Sequence, residues 1–445
     1  MAYNLDALGW LQFERLCDQA LALTAGVDPG LWSGAADEGR IAVVEDGVSL
    51  PLGLGRVDGP AAIVTWWSGH DAPPLDPSIV AGTESAPRVV LVTNLPADAP
   101  PAPVAAVIGA EQLAALLDAE PALRLRVPAA LGVRALDGLA SQDTVAASTF
   151  DVRAAHGLAR IFVATHAYDH AVDVLERHHF VVLTGPPEVG KTAIATTVGL
   201  ARLTAGWEVH DCTSPDQVLT RHAPGRPQAF IADDAFGSTE YRPDAAERWA
   251  RELPRILTLL DDRHWLLWTS RPAPLRAGLH RVHLERGGEH FPSPAQVHVD
   301  AAALDLDEKA SILLRHAKAA GLDRAVRRLV RDRADEIVGH PQFTPERIRR
   351  FVERRLGGLA GATPWQLRTA IEEELGTPTE AMATSLHALD AEHRDVLTAL
   401  LDAPPGPVSD RELAASLRRH RGNGLSRTPA ELIDRLADHF LRVVA

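Results

Sequence analysis

Gly185-Pro186-Pro187-Glu188-Val189-Gly190-Lys191-Thr192 has the spacing G-x-x-x-x-G-K-[ST], and the reading of this stretch decides the fold. In such a loop backbone N–H groups wrap a diphosphate, one ammonium meets the β/γ oxygens, and a hydroxyl is left for Mg²⁺. The run His179-Phe180-Val181-Val182-Leu183-Thr184 before it reads as a fully buried strand of a parallel sheet covered on both faces. From Ala193 to Ala201 the apolar groups recur as on a helix, so the loop opens onto a helix N-terminus whose dipole favours phosphate. A chance glycine turn would not carry this context. The expectation is a nucleoside triphosphate held by Gly185, Pro186, Glu188, Val189, Gly190, Lys191, Thr192 and Ala193, with Thr192 also a Mg²⁺ ligand.

Outward from the loop, the 445 residues suggest about three domains of roughly 150 residues each. Hydrophobic residues at 46% and charged residues at 23% describe an ordinary globular chain. The net charge of −14 argues against non-specific attraction to nucleic acid or an anionic membrane, while leaving room for a local basic site. The two cysteines, Cys17 and Cys212, lie far apart without metal-ligand spacing, which gives no support to a disulfide framework or zinc ribbon. No signal peptide and no stretch of membrane-spanning length is present, and the reading is a cytoplasmic protein.

A phosphate loop needs an acid at the end of a second buried strand, and Ala229-Phe230-Ile231-Ala232-Asp233-Asp234 supplies two. Asp233 is expected to serve the metal and Asp234 to orient or activate the attacking water. The competing reading is a turn or helix cap. A third strand, His264-Trp265-Leu266-Leu267-Trp268-Thr269, runs into Ser270-Arg271-Pro272 and brings Arg271 to the same sheet edge. Its guanidinium either senses the γ-phosphate or caps and pairs locally. No Asn/Thr-Lys-x-Asp guanine reader surrounds Lys309 or Lys318, so adenine, hence ATP and ADP, is expected. Phe162 and Tyr168 stand either against the base or in the core.

These residues resemble the STAND class of signal-transduction ATPases, within it the nSTAND3-type NTPases of bacteria. The resemblance rests on Phe162-Val163-Ala164-Thr165-His166-Ala167-Tyr168, the phosphate loop, Phe230 through Asp233, Asp234 and Gly237, Thr269-Ser270-Arg271, and Gly339-His340-Pro341-Gln342-Phe343-Thr344-Pro345, over about 160 to 350. It implies an ATPase switch that is closed with ADP, and open and homo-oligomeric with ATP and a protein trigger, in bacterial antiphage defence or signalling. It also implies Lys191 and Thr192 on phosphate and Mg²⁺, Asp233 and Asp234 as the acidic pair, and Arg271 as sensor. Pro341 matches the proline that closes a helical lid over the nucleotide, or else is an ordinary helix stop. The implied fold is α/β: a P-loop NTPase core with a parallel sheet over 161–300, a helical lid over 301–385 and a winged-helix domain over 386–445. A sensor array would lie beyond Ala445 or elsewhere. If the winged helix bound DNA through Arg418, Arg419 and Arg421, the chain would instead be an ATP-regulated transcription factor; those arginines read equally as a solvated face.

The first 140 residues are similar to the restriction-endonuclease-like α/β domains that precede such NTPases, and a linker is expected over 141–160. The likeness rests on Leu8-Gly9-Trp10-Leu11-Gln12-Phe13-Glu14-Arg15-Leu16, Ala36-Asp37-Glu38-Gly39-Arg40-Ile41-Ala42, Ile63-Val64-Thr65-Trp66-Trp67 and Val90-Leu91-Val92-Thr93-Asn94, in a segment where a helix is expected over Leu5 to Leu23 and strands from Ile41, Ala61 and Arg88. In that family a catalytic acid stands where Ile41 is and a lysine where Trp67 is, and Lys191 is the first lysine of the chain. Cleavage of a phosphodiester needs both groups. The resemblance therefore implies a nuclease fold without nuclease activity; the contrary reading is an ATP-dependent nuclease with unconventional metal ligands such as Asp37.

Overall fold

The computed structural model describes residues 3–33, 40–68, 88–96, 104–236, 243–272, 275, 293–359, 361–377, 383–384, 386–387, 389, 390–403, 406–421, 426–436 and 441. Asp37, Glu38 and Gly237 lie outside them. The chain divides into two units, Met1–Ala164 with Thr196–Val209, and Thr165–Ala195 with His210–Ala445.

In the first unit, strands β1 (Trp32–Ser33), β2 (Arg40–Val44), β5 (Ala61–Trp66), β6 (Arg88–Thr93) and β7 (Val104–Ile108) form a sheet in that order, and β3 (Val48–Ser49) pairs with β4 (Arg56–Val57). β2 is antiparallel to β1 and β5, whereas β5, β6 and β7 run parallel. Strand side chains alternate faces, and here both faces are apolar. Ala61, Ile63, Val90 and Val92 join the cluster of Phe13, Leu16 and Ala20 on one face, while Ala62, Val64, Val89 and Leu91 make a second cluster on the other. The helix expected from Leu5 begins at Trp10, because Gly9 has φ 76° and breaks the run after a single turn at Leu5–Ala7. Ile41 packs on the second cluster and Trp67 on the first. The positions where the endonuclease likeness implies an acid and a lysine thus hold apolar packing groups.

The segment read as a linker is helical instead, over Gln142–Ala147 and Val152–Ala159. Ser141 and Asp151 cap the two helices by accepting the N–H groups of Thr144 and Ala154. Ala155 and Ala159 are fully buried, and a Cβ at Gly132 would stand 2.5 Å from the Arg160 nitrogen. Small side chains, which read as linker composition, are what close packing requires here.

The second unit holds strands β8 (Phe180–Thr184), β10 (Gln228–Ala232), β11 (His264–Ser270) and β12 (His298–Asp300), and β9 (Glu208–Asp211) from His210 onward, in a sheet ordered β12-β8-β11-β10-β9. β8 is parallel to β11 and β12, and β10 is parallel to β11. Every residue of β8, β10 and β11 is buried, as a parallel sheet covered on both faces requires. Trp268 of β11 meets Phe180 at 5.3 Å, Phe236 at 5.1 Å and Trp249 at 4.8 Å, all edge to face. Removing so large a buried side chain leaves a cavity at the sheet centre. Trp268→Ala is expected to destabilise this unit by about 3–5 kcal/mol, read as a lowered midpoint in chemical denaturation.

Helices Leu306–Ala319, Arg324–Asp332, Ala334–Val338, Pro345–Arg354 and Pro364–Gly376 follow the sheet. Three more, Ala391–Leu401, Asp410–Arg421 and Pro429–Leu436, share a separate core of Leu389, Val396, Ala399, Leu413, Leu417, Leu432 and Leu436. Arg418 and Arg419 are exposed on the second of these. Among the described residues, no helix is long and apolar enough to cross a membrane.

Candidate nucleotide-binding site

β8 ends at Thr184 and the helix Lys191–Thr204 begins six residues after Gly185, so the expected loop spans strand to helix as the motif requires. Gly185 has φ 142° and Gly190 φ 103°, both in the region that favours glycine. At Gly185 a Cβ would also come within 3.0 Å of Val189 Cγ2, so the turn admits no side chain. Lys191 is buried and its Nζ donates to the carbonyls of Gly185, at 2.9 Å, and Pro186, at 2.7 Å. Burial pulls its pKa down to about 8, against the opposing fields of Asp234, Asp233 and Asp300. A desolvated ammonium curled over the loop carbonyls gains by exchanging them for phosphate oxygens.

Asp233 and Asp234 lie where β10 ends. Thr192 Oγ1 donates to Asp233 Oδ1 at 2.9 Å, so a hydroxyl and a carboxylate oxygen converge at the start of the helix. That pair of hard oxygen donors fits Mg²⁺. Asp234 has φ 47°, uncommon outside glycine but tolerated by aspartate, and its N–H donates to Thr269 Oγ1 at 2.9 Å. Burial first, and the Asp233 charge second, raise the Asp234 pKa, while Arg271 and Lys191 oppose the rise. A carboxyl lifted above its ordinary range is a better proton acceptor near neutrality.

Arg271 follows β11 and is half-buried; desolvation lowers its pKa, and the carboxylates of Asp234 and Glu188 counteract it. Structure thus gathers Lys191, Thr192, Asp233, Asp234 and Arg271 at one sheet edge. Tyr168 is fully buried, so its ring packs in the core. Pro341 is exposed, in the turn between helices Ala334–Val338 and Pro345–Arg354. The side chain from this region that meets the phosphate loop is Arg347, whose Nε lies 3.7 Å from Glu188 Oε2.

Two participants escaped the sequence reading. Thr269 is fully buried at the end of β11, accepts the Asp234 N–H and donates to the Asp233 carboxylate, thereby fixing both acids. A polar side chain closing an otherwise apolar strand was its signal. Asp300 ends β12, accepts the Ala302 N–H at 2.9 Å and acts on Lys191; with only Val299 buried in its short strand, no apolar run marked it. A further acidic group, His166 with Asp305 and Glu308, lies apart from these residues in sequence. Its carboxylates are engaged by backbone N–H groups at the N-termini of two helices, where the dipoles disfavour a cation.

The family model for Novel STAND NTPase 3 matches residues 162–319, which contain the whole of this constellation except Pro341 and Arg347. Solved structures similar to the chain include a Walker-type ATPase of Pyrococcus abyssi, 15% identical over 62% of this chain and 89% of its own, with a TM-score of 0.39. A RuvB mutant of Thermotoga maritima is 16% identical over 56% of this chain and 80% of its own, with a TM-score of 0.34. NtrX from Brucella abortus in complex with ADP is 14% identical over 84% and 88%, with a TM-score of 0.31. With a phosphate loop joining a parallel strand to a helix and an acidic pair at the adjoining strand end, residues 162–319 form a nucleotide-binding P-loop NTPase domain that matches the Novel STAND NTPase 3 family model.

Proposed function

We propose that the chain is an ATP-driven switch that hydrolyses ATP slowly and changes its assembly between ADP and ATP states. The observation that carries this reading is the joint placement of Lys191, Thr192, Asp233, Asp234 and Arg271 within a STAND-type domain. Lys191 and the loop amides hold the β- and γ-phosphates. Thr192 and Asp233 hold Mg²⁺, which when bound neutralises phosphate charge. Asp234 accepts a proton from the attacking water, and Arg271 stabilises charge that develops on the γ-phosphoryl oxygens.

Adenine is the base in this reading, Pro341 belongs to the turn that closes over it, and the helices after Leu306 form the lid. The three-helix cluster from Ala391 to Leu436 serves as a winged-helix restraint, and a protein trigger releases it. The first unit, with Ile41 and Trp67 in place of an acid and a lysine, acts in protein contact without cleaving DNA. A place in bacterial defence follows from the family alone. Light scattering on the chain with Mg²⁺ and ADP, then with a non-hydrolysable ATP analogue, tests the switch. A larger species with the analogue is expected; one unchanged mass in both nucleotides, together with fast sustained turnover, would point to a different ATPase.

A further inference from the structure

Glu188 is at odds with its place. A phosphate loop works through backbone N–H groups, and a carboxylate on it repels a polyphosphate. Glu188 also adopts φ 71°, a left-handed conformation that glycine takes without penalty and glutamate does not. Its side chain is nevertheless 7% exposed, turned against Arg347, whose side chain is equally buried at 7%. The contact, 3.7 Å from Nε to Oε2, is an ion pair longer than a hydrogen bond. Arg347 is in turn fixed to the helical segment: Nη1 donates to Gln342 Oε1 at 2.9 Å and to the Leu375 carbonyl. A buried charge that loses its partner is strongly disfavoured, so the strained loop acid and the helix arginine need each other. Arg271, at the end of β11, is a second cation in the field of Glu188.

We propose that Glu188 and Arg347 form an electrostatic latch that makes nucleotide affinity conditional on the helix Pro345–Arg354 being docked on the phosphate loop. With the helix docked, Arg347 neutralises Glu188 and the loop accepts phosphate. With the helix withdrawn, the loop loses the Arg347 charge, and the carboxylate, left with the field of Arg271, opposes a polyanion more strongly. The latch thereby couples any pull on the helical segment to nucleotide release. The negative charge at a position whose φ suits glycine is what makes the loop sensitive to the helix.

This inference rests on nucleotide binding by the loop, and a double-mutant cycle separates the two. Binding of a fluorescent ATP analogue to the full chain is measured for the wild type, Arg347→Ala, Glu188→Gly and the double variant. Arg347→Ala is expected to weaken binding about tenfold or more with Glu188 present, and less than about twofold in the Glu188→Gly background, the difference being a coupling of at least about 1 kcal/mol. Equal loss in both backgrounds would mean that Arg347 contacts the nucleotide itself and would overturn the latch; no loss in either would overturn it too. A wild type that binds no nucleotide would instead refute the reading of the loop. Should Arg347→Ala fail to fold, Arg347→Gln, which keeps the stem and a donor for the Leu375 carbonyl, runs the same cycle with the same expected pattern.

Discussion

Lys191→Ala is expected to reduce nucleotide affinity by at least about tenfold and up to hundreds-fold, the measure being calorimetric titration with ADP and an ATP analogue. A hydrogen bond to a charged partner contributes about 1.5–3 kcal/mol, which alone spans roughly ten- to hundredfold. The surroundings enlarge the loss. Asp233, Asp234 and Asp300 all act on Lys191, and deleting the ammonium leaves three acids facing an incoming polyphosphate. Because Lys191 is already buried and bonded to the carbonyls of Gly185 and Pro186, the charge is positioned before the phosphate arrives, and little ordering cost offsets its gain. Binding of the alanine variant at wild-type strength would remove the loop from the site.

Asp234→Asn should separate binding from chemistry. Asparagine is nearly isosteric, tolerates the φ of 47° at this position, and keeps the backbone N–H that donates to Thr269. It cannot accept a proton. Nucleotide affinity is expected to change by less than about threefold, while single-turnover hydrolysis falls by about 10²–10⁴, the usual contribution of a positioned acid or base. The protein should then retain intact ATP, detectable by chromatography of the bound nucleotide. If Asp234 were only a turn residue, hydrolysis would persist at the wild-type rate and the variant would differ, if at all, in stability.

Much of the second unit was legible because its signals are local. Phe180–Thr184, Gln228–Ala232 and His264–Ser270 each contain a continuous run of four apolar residues, and each forms a fully buried strand of the parallel sheet. The loop's glycines stand at fixed offsets from Lys191, so the motif could be read without knowing any neighbour. Boundaries were less legible where a single backbone angle decides them: Gly9 at φ 76° stops the first helix short of Leu5, and no periodicity of side chains reports that. The stretch 141–160 misled for a related reason. Its alanines carry a weak hydrophobic signal, yet Ala155 and Ala159 are buried because small groups let the backbones approach.

By itself, then, the sequence determined the strand–loop–helix that holds phosphate and the two acids at the end of β10, since each is a contiguous pattern whose chemistry is set by spacing along the chain. Only the tertiary structure decided that Thr269 joins Asp233 to Asp234, that Asp300 faces Lys191, and that Arg347 neutralises Glu188 across 159 residues of chain. Those pairings depend on parallel register and on helix docking, which bring distant residues within a few ångströms. Electrostatic coupling follows distance in space, and a linear pattern does not encode it.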